Sequence, residues 1–182
     1  AKIPILVAEI KKLISRTGFE LTVSQRKTAW QIVNDLNSTK PMKRLLMGDV
    51  GSGKTIVAAI ASLIVAKAGY QSLWLTPTEV LANQHFESAN KLFSKFKFKI
   101  GLFTGANKKA DLLTDNIIIG THALFQPKYE FSKVGLVVVD EQHRFGVSQR
   151  SKLSQLTNPV PHFLSMTATP IPRTLALPLY GD

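Results

Sequence analysis

Gly48-Asp49-Val50-Gly51-Ser52-Gly53-Lys54-Thr55 stands between the apolar run Leu45-Leu46-Met47 and the segment Ile56-Val57-Ala58-Ala59-Ile60-Ala61. Strand, glycine loop, helix is the context that a phosphate-binding loop requires. The glycines let successive backbone N–H groups turn inward on phosphate oxygens, and the helix adds its positive dipole end. In that arrangement Lys54 reaches the β- and γ-phosphates, and the Thr55 hydroxyl holds Mg²⁺. With average residue frequencies the pattern arises by chance in about one chain in two hundred. The flanking strand and helix make a plain Gly/Ser turn a poorer account still. The expectation is a nucleoside triphosphate with Mg²⁺ on this loop.

Outward from the loop, strand-like and helical patterns alternate. Ile3, Leu6, Val7, Ile10, Leu13 and Ile14 fall near helical spacing, and Gly18 closes that segment. Thr22 or Ser24 is a candidate N-cap for a helix through Trp30, Ile32, Val33 and Leu36. Ser72 to Pro77 reads as a buried strand stopped by proline, and Thr78 to Leu92 as a helix with Thr78 at its start. In Phe96 to Phe103, lysines alternate with apolar residues. That reads as an edge strand guarded by Lys95, Lys97 and Lys99, or as a basic, aromatic nucleic-acid strip. Asn107 to Asp115 reads as a short polar helix or loop. Asn116 to Gly120, Val134 to Val139 and His162 to Met166 are further short apolar strands. The expected fold class is α/β: a three-layer P-loop domain with a mostly parallel sheet and helices on both faces. Ligands in such sheets sit beyond the carboxyl ends of the strands. Thr76, Thr104, Thr121, Asp140 and Thr167 fall there, beside Gly51 to Thr55.

Leu136-Val137-Val138-Val139-Asp140-Glu141 carries the second piece of phosphate chemistry. An aspartate at this strand end holds Mg²⁺ opposite Thr55, and Glu141 is placed to orient and deprotonate an attacking water. The alternative is a strand that simply ends in acidic turn residues. Gln142 and His143 continue the pair; His143 either transmits nucleotide state or packs. A transition-state arginine is needed as well. Arg173 is the nearest candidate in this chain and a poor one.

At Asp140-Glu141-Gln142-His143-Arg144-Phe145-Gly146-Val147 the chain resembles motif II of the RecG family of superfamily 2 DNA helicases. Gly48 to Thr55 looks like motif I, Thr76-Pro77-Thr78-Glu79-Val80-Leu81-Ala82-Asn83-Gln84-His85 like motif Ia, and Met166 to Thr174 like motif III. Thr104-Gly105 and Gly120-Thr121-His122-Ala123-Leu124 look like the DNA-facing motifs between them. Phe19, Leu21-Thr22 and Gln25 resemble the adenine-reading region. Gln142 favours RecG over the related transcription–repair coupling factor and primosomal helicase.

The resemblance implies a RecA-like motor domain. ATP would lie on Phe19, Gln25 and Gly48, Asp49, Val50, Gly51, Ser52, Gly53, Lys54 and Thr55, with Mg²⁺ on Thr55 and Asp140. Lys54, Asp140, Glu141, Gln142 and His143 would form the catalytic set. Thr76, Pro77, Thr78, Gln84, Thr104, Gly105, Thr121 and His122 would face branched or forked DNA, largely through its phosphates. Thr167 and Thr169 would couple hydrolysis to movement. Residues 1–20 would be a helix or linker from a preceding region, and 21–182 the first motor domain. The family's motifs IV to VI and its wedge domain have no counterpart here, and Ala1 does not resemble a natural start. The expectation is therefore half of a motor, nearly inactive without the second RecA-like domain that supplies the arginine.

Composition agrees with this and narrows little further. Of the 182 residues, 45% are hydrophobic, a globular value. A formal net charge of +11 favours polyanionic partners such as DNA, or marks only a lysine-rich surface. No cysteine is present, which excludes disulfides and thiolate zinc sites. No apolar run is long enough to span a bilayer, so no membrane partner is expected and a cytoplasmic location is the default. Two rivals remain: the matching domain of the coupling factor or primosomal helicase, and a nucleic-acid-binding P-loop module that switches without hydrolysing.

Overall fold

The computed structural model describes residues 2–4, 7–126, 128–141 and 160–168. Six strands form one sheet: β1 (Lys43–Met47), β2 (Gln71–Leu75), β3 (Ile100–Phe103), β4 (Ile117–Gly120), β5 (Val134–Asp140) and β6 (His162–Thr167). Their order is β1-β6-β5-β2-β4-β3, and every pairing between them is parallel. The near-continuous apolar runs follow from that. All five residues of β2, all four of β4 and six of the seven in β5 are buried, as in a parallel sheet covered on both faces.

Helices α1 (Val7–Thr17), α2 (Val23–Leu36), α3 (Lys54–Lys67) and α4 (Glu79–Phe93) share one core with the sheet face that carries Trp74, Ile117, Ile119, Leu136 and Val138. The chain order explains this. From β1 to β2 and from β2 to β3 the chain moves in the same direction across the sheet, so right-handed crossovers put α3 and α4 on one side. The connections from β3 to β4 and from β4 to β5 run back, and they cover the other face. There Leu112, Leu124 and Tyr129 pack on Leu73, Ile118 and Val137. Among the described residues that second face carries a 3₁₀ turn, His122–Phe125, rather than an α-helix.

Helix α3 is the hub. Ten consecutive residues, Val57 to Ala66, are buried. Each large aliphatic side chain among them contributes about 1.5–3 kcal/mol by leaving water. The N-terminal segment lies on the same core. Ile3 is fully buried, its N–H donates to Leu36 O at 2.9 Å, and it sits where a side chain at Gly135 would have to go. Arg16, in α1, donates to Lys95 O at 2.9 Å and lies over the Phe96 ring.

Most element ends fall within a residue or two of where the sequence puts them. Thr78 caps α4, its hydroxyl accepting from Leu81 N–H. Thr22 is the N-cap of α2, in a reciprocal capping box with Gln25. Thr22→Ala removes one arm of that box and is expected to cost about 1 kcal/mol of stability, read by chemical denaturation. The strand read over Phe96 to Phe103 is shorter in the structure, because β3 begins at Ile100. Lys99 N–H bonds the Asn116 side chain at 2.9 Å rather than a neighbouring backbone carbonyl, and the Phe96 and Phe98 rings stack on each other.

A candidate nucleotide site on the carboxyl edge of the sheet

The phosphate loop leaves β1 at the carboxyl edge, and Gly48 N–H donates to Thr167 O of β6 at 3.3 Å. Gly51 and Gly53 have φ of 82° and 83°, the left-handed region that side chains other than glycine's occupy at a cost. A Cβ at Gly53 would also displace the Gln25 amide. Gly53 is the N-cap of α3 and makes no side-chain capping bond, so the first-turn N–H groups lie beside the loop without a capping side chain. Lys54 Nζ folds back over the loop and donates to the carbonyls of Gly48 and Asp49, the latter at 2.7 Å. Asp49, Val50 and Ser52 are exposed, and Thr55 is half-buried.

Gln25 ties this loop to α2. Its Oε1 accepts from Thr22 N–H at 2.9 Å, and its Nε2 donates to Ser52 O at 3.0 Å. One amide hydrogen and one lone pair remain for a ligand. Phe19, 42% exposed, joins Thr55, Ile56, Trp74 and His85 in lining a cavity of about 110 Å³ beside the loop.

β5 brings the acidic pair to the same edge. β6 lies between β1 and β5, with Met47 opposite Thr167 and Asp140 opposite Met166. Two strand spacings, roughly 10 Å, therefore separate the root of the phosphate loop from Asp140. Asp140 Oδ1 accepts from Glu141 N–H at 2.9 Å, and Oδ2 accepts from His85 Nε2–H at 2.7 Å. Glu141 has φ of 52°, the single non-glycine residue with positive φ among those described. A glycine cradle, an uncapped helix start and two hard oxygen donors, Thr55 and Asp140, fit a nucleotide phosphate chain with Mg²⁺, which takes few protein ligands beside phosphate oxygens.

The residues expected to face DNA divide into two groups. Thr76, Thr104 and Thr121 are buried, and their hydroxyls serve their own loops. Thr76 Oγ1 donates to Thr78 O at 2.9 Å, Thr104 Oγ1 accepts from Asn107 N–H at 3.0 Å, and Thr121 caps the 3₁₀ turn. Thr78, Gln84, Gly105 and His122 are exposed, and Pro77 is half-buried. Glu79 bridges two of these loops by accepting from Ala106 N–H at 3.0 Å. Thr167 is buried and touches the phosphate loop through its carbonyl. Gln142, His143, Thr169 and Arg173 lie outside the described residues.

The family model described as DEAD/DEAH box helicase matches residues 22–177. The chain belongs to the DEAD/DEAH box helicase family. This DEAD/DEAH box domain is 47% identical over 182 residues to the ATP-dependent DNA helicase RecG of Synechocystis sp., covering 95% of this chain and 22% of that protein. It is 45% identical to the RecG of Aquifex aeolicus, covering 95% of this chain and 23% of that one. To the RecG of Streptococcus pneumoniae it is 48% identical over 171 residues, covering 90% and 25%. The resemblance to RecG read from motifs I to III is thus borne out, and the chain spans about a quarter of the curated relatives it matches. The fold also matches a Saccharomyces cerevisiae Dbp5 structure, that protein bound to RNA and ADP BeF3. The TM-score is 0.70 at 19% identity, covering 96% of this chain and 47% of that one. This confirms the RecA-like α/β architecture. Among the described residues no helix is long and apolar enough to cross a membrane.

Motif reading left His85 without a role. The signal was present: Ala82, His85, Phe86, Ala89 and Phe93 are spaced as the inward stripe of α4, and one of the five is a histidine. The tie from Gln25 to Ser52 was missed because the capping-box pattern Thr22-x-x-Gln25 says nothing of what lies across the loop.

Proposed function

We propose that this domain is the ATP-binding half of an ATP-dependent DNA motor that remodels branched DNA. The observation that carries the reading is the Asp140–Glu141 pair, at the end of β5 on the same edge as the phosphate loop. A nucleotide switch needs the loop; it does not need a second carboxylate beside the metal ligand.

In this reading Lys54 exchanges the carbonyls of Gly48 and Asp49 for the β- and γ-phosphate oxygens. Gln25 meets the adenine edge with its remaining donor and acceptor, and Phe19 covers that side. Thr55 and Asp140 would hold Mg²⁺, which neutralises charge on the phosphates. Glu141 accepts the proton of the attacking water at its carboxylate, with Gln142 and His143 continuing the catalytic set. Thr167, through its carbonyl on Gly48 N–H, and Thr169 after it relay the nucleotide's state along β6. Thr78, Gln84, Gly105 and His122 offer the exposed surface for a DNA backbone, on loops that Thr76, Thr104 and Thr121 shape from within. The arginine comes from a second RecA-like domain. Arg16 lies over Phe96 and Arg44 pairs with Asp35.

The test is ATP turnover by the full-length protein on forked and on linear duplex DNA at matched base-pair concentration. Turnover should rise on both and more on the fork. No stimulation by any DNA would overturn the motor reading, and equal stimulation would favour the coupling-factor relative over RecG.

A further inference from the structure

Asp140 is held from two sides, and only one of them is its own strand. Its Oδ1 accepts from the adjacent Glu141 N–H, while Oδ2 accepts from His85 Nε2–H at 2.7 Å, across 55 residues of sequence. The two side chains are 12% and 16% exposed, so water competes little for this bond. The ring of His85 has a second neighbour. Trp74 of β2 meets it edge-on, with centroids 5.6 Å apart and planes at 69°. Trp74 is buried, and its Nε1–H donates to Ser62 Oγ of α3 at 2.8 Å. Turning His85 from Asp140 would give up both this bond and the ring contact with Trp74.

Helix α4 starts at the exposed cap Thr78 and carries exposed Gln84 directly before His85. A small shift of α4 at its nucleic-acid-facing end would move the His85 ring and, with it, the plane of the Asp140 carboxylate. We propose that His85 is a positioning residue for Asp140 that couples the DNA-facing helix α4 to the metal-binding carboxylate. The inference rests on the readings given above of Asp140 as a Mg²⁺ ligand and of the start of α4 as facing DNA. Partners that orient a metal ligand commonly change metal affinity or activity by 10–100-fold when removed, roughly the scale expected here.

The experiment uses the full-length protein and two readouts. One is the Mg²⁺ concentration that half-saturates nucleotide binding; the other is the ratio of ATP turnover with and without forked DNA. His85→Ala is expected to raise the first by roughly tenfold and to lower the second. Metal-free nucleotide binding and fork affinity should stay as in the unsubstituted protein. His85→Gln, which keeps an N–H donor at similar reach, should restore most of both. Should His85→Ala fail to fold, His85→Met against His85→Gln makes the same comparison, since Met fills the space without a donor. A wild-type Mg²⁺ dependence in the donor-free variant, or equal defects with Gln and without a donor, would overturn the inference. Asp140→Asn separates the levels. If it leaves the Mg²⁺ dependence unchanged, the metal reading and the inference fall together. If it is defective while the donor-free His85 variant is not, the inference alone falls.

Discussion

Replacing Lys54 with alanine is expected to lower ATP turnover by roughly 10²–10³-fold, the scale for removing one pre-placed donor from a developing negative charge. The fold should not notice. Lys54 is half-buried at the first position of α3, and among the described residues its ammonium bonds loop carbonyls, those of Gly48 and Asp49. The core of α3 begins three residues later, at Val57. The melting temperature of Lys54→Ala should therefore match the parent within a degree or two, about the effect of a neutral surface change. Turnover and a melting curve on the same preparation check both halves. A loss of melting temperature on the scale of a core truncation would show that the lysine bridges the loop structurally, and its catalytic assignment would lose its support.

Glu141→Gln is expected to lower turnover by roughly 10²–10⁴-fold, the usual contribution of a general base, while Mg·ATP and DNA still bind. Glu141 stands at φ of 52°, where a non-glycine residue is strained by about 1–2 kcal/mol. Such strain persists where the surroundings impose it, and it gathers at functional positions. Gln keeps the size and the hydrogen-bonding reach of Glu, so the substitution removes the proton acceptor with little change of shape. Single-turnover kinetics beside a binding titration separate the two quantities. Hydrolysis within a few-fold of the parent would instead support the module that uses nucleotide as a switch.

The sequence foretold the parallel sheet because its strands are short apolar runs stopped by turn residues, and because long connections separate most of them. Burial on both faces erases period-two alternation, so the runs in β2, β4 and β5 stand out without it. The one alternating stretch, Phe96 to Phe103, was the one whose length misled. There the side chain of Asn116 takes a ladder bond, and two phenylalanines stack beneath Arg16 instead of extending the strand. The phosphate loop was legible because Gly51 and Gly53 are demanded by backbone angle. The threonines at the strand ends were less so. A hydroxyl in that position can meet a ligand or satisfy its own loop, and Thr76, Thr104 and Thr121 do the latter. The bond between His85 and Asp140 joins α4 to β5, and no local pattern could announce it.

The most direct test of the nucleotide site is a titration of the 182-residue chain with Mg·ATP, beside its Lys54→Ala variant, with turnover followed in the same samples. Saturable binding by the chain, lost in the variant, is predicted, with hydrolysis near background until the rest of the motor is supplied. Binding that is absent, or the same with and without Lys54, would contradict a phosphate site on this loop. Rapid hydrolysis by the chain alone would contradict the need for an arginine from elsewhere.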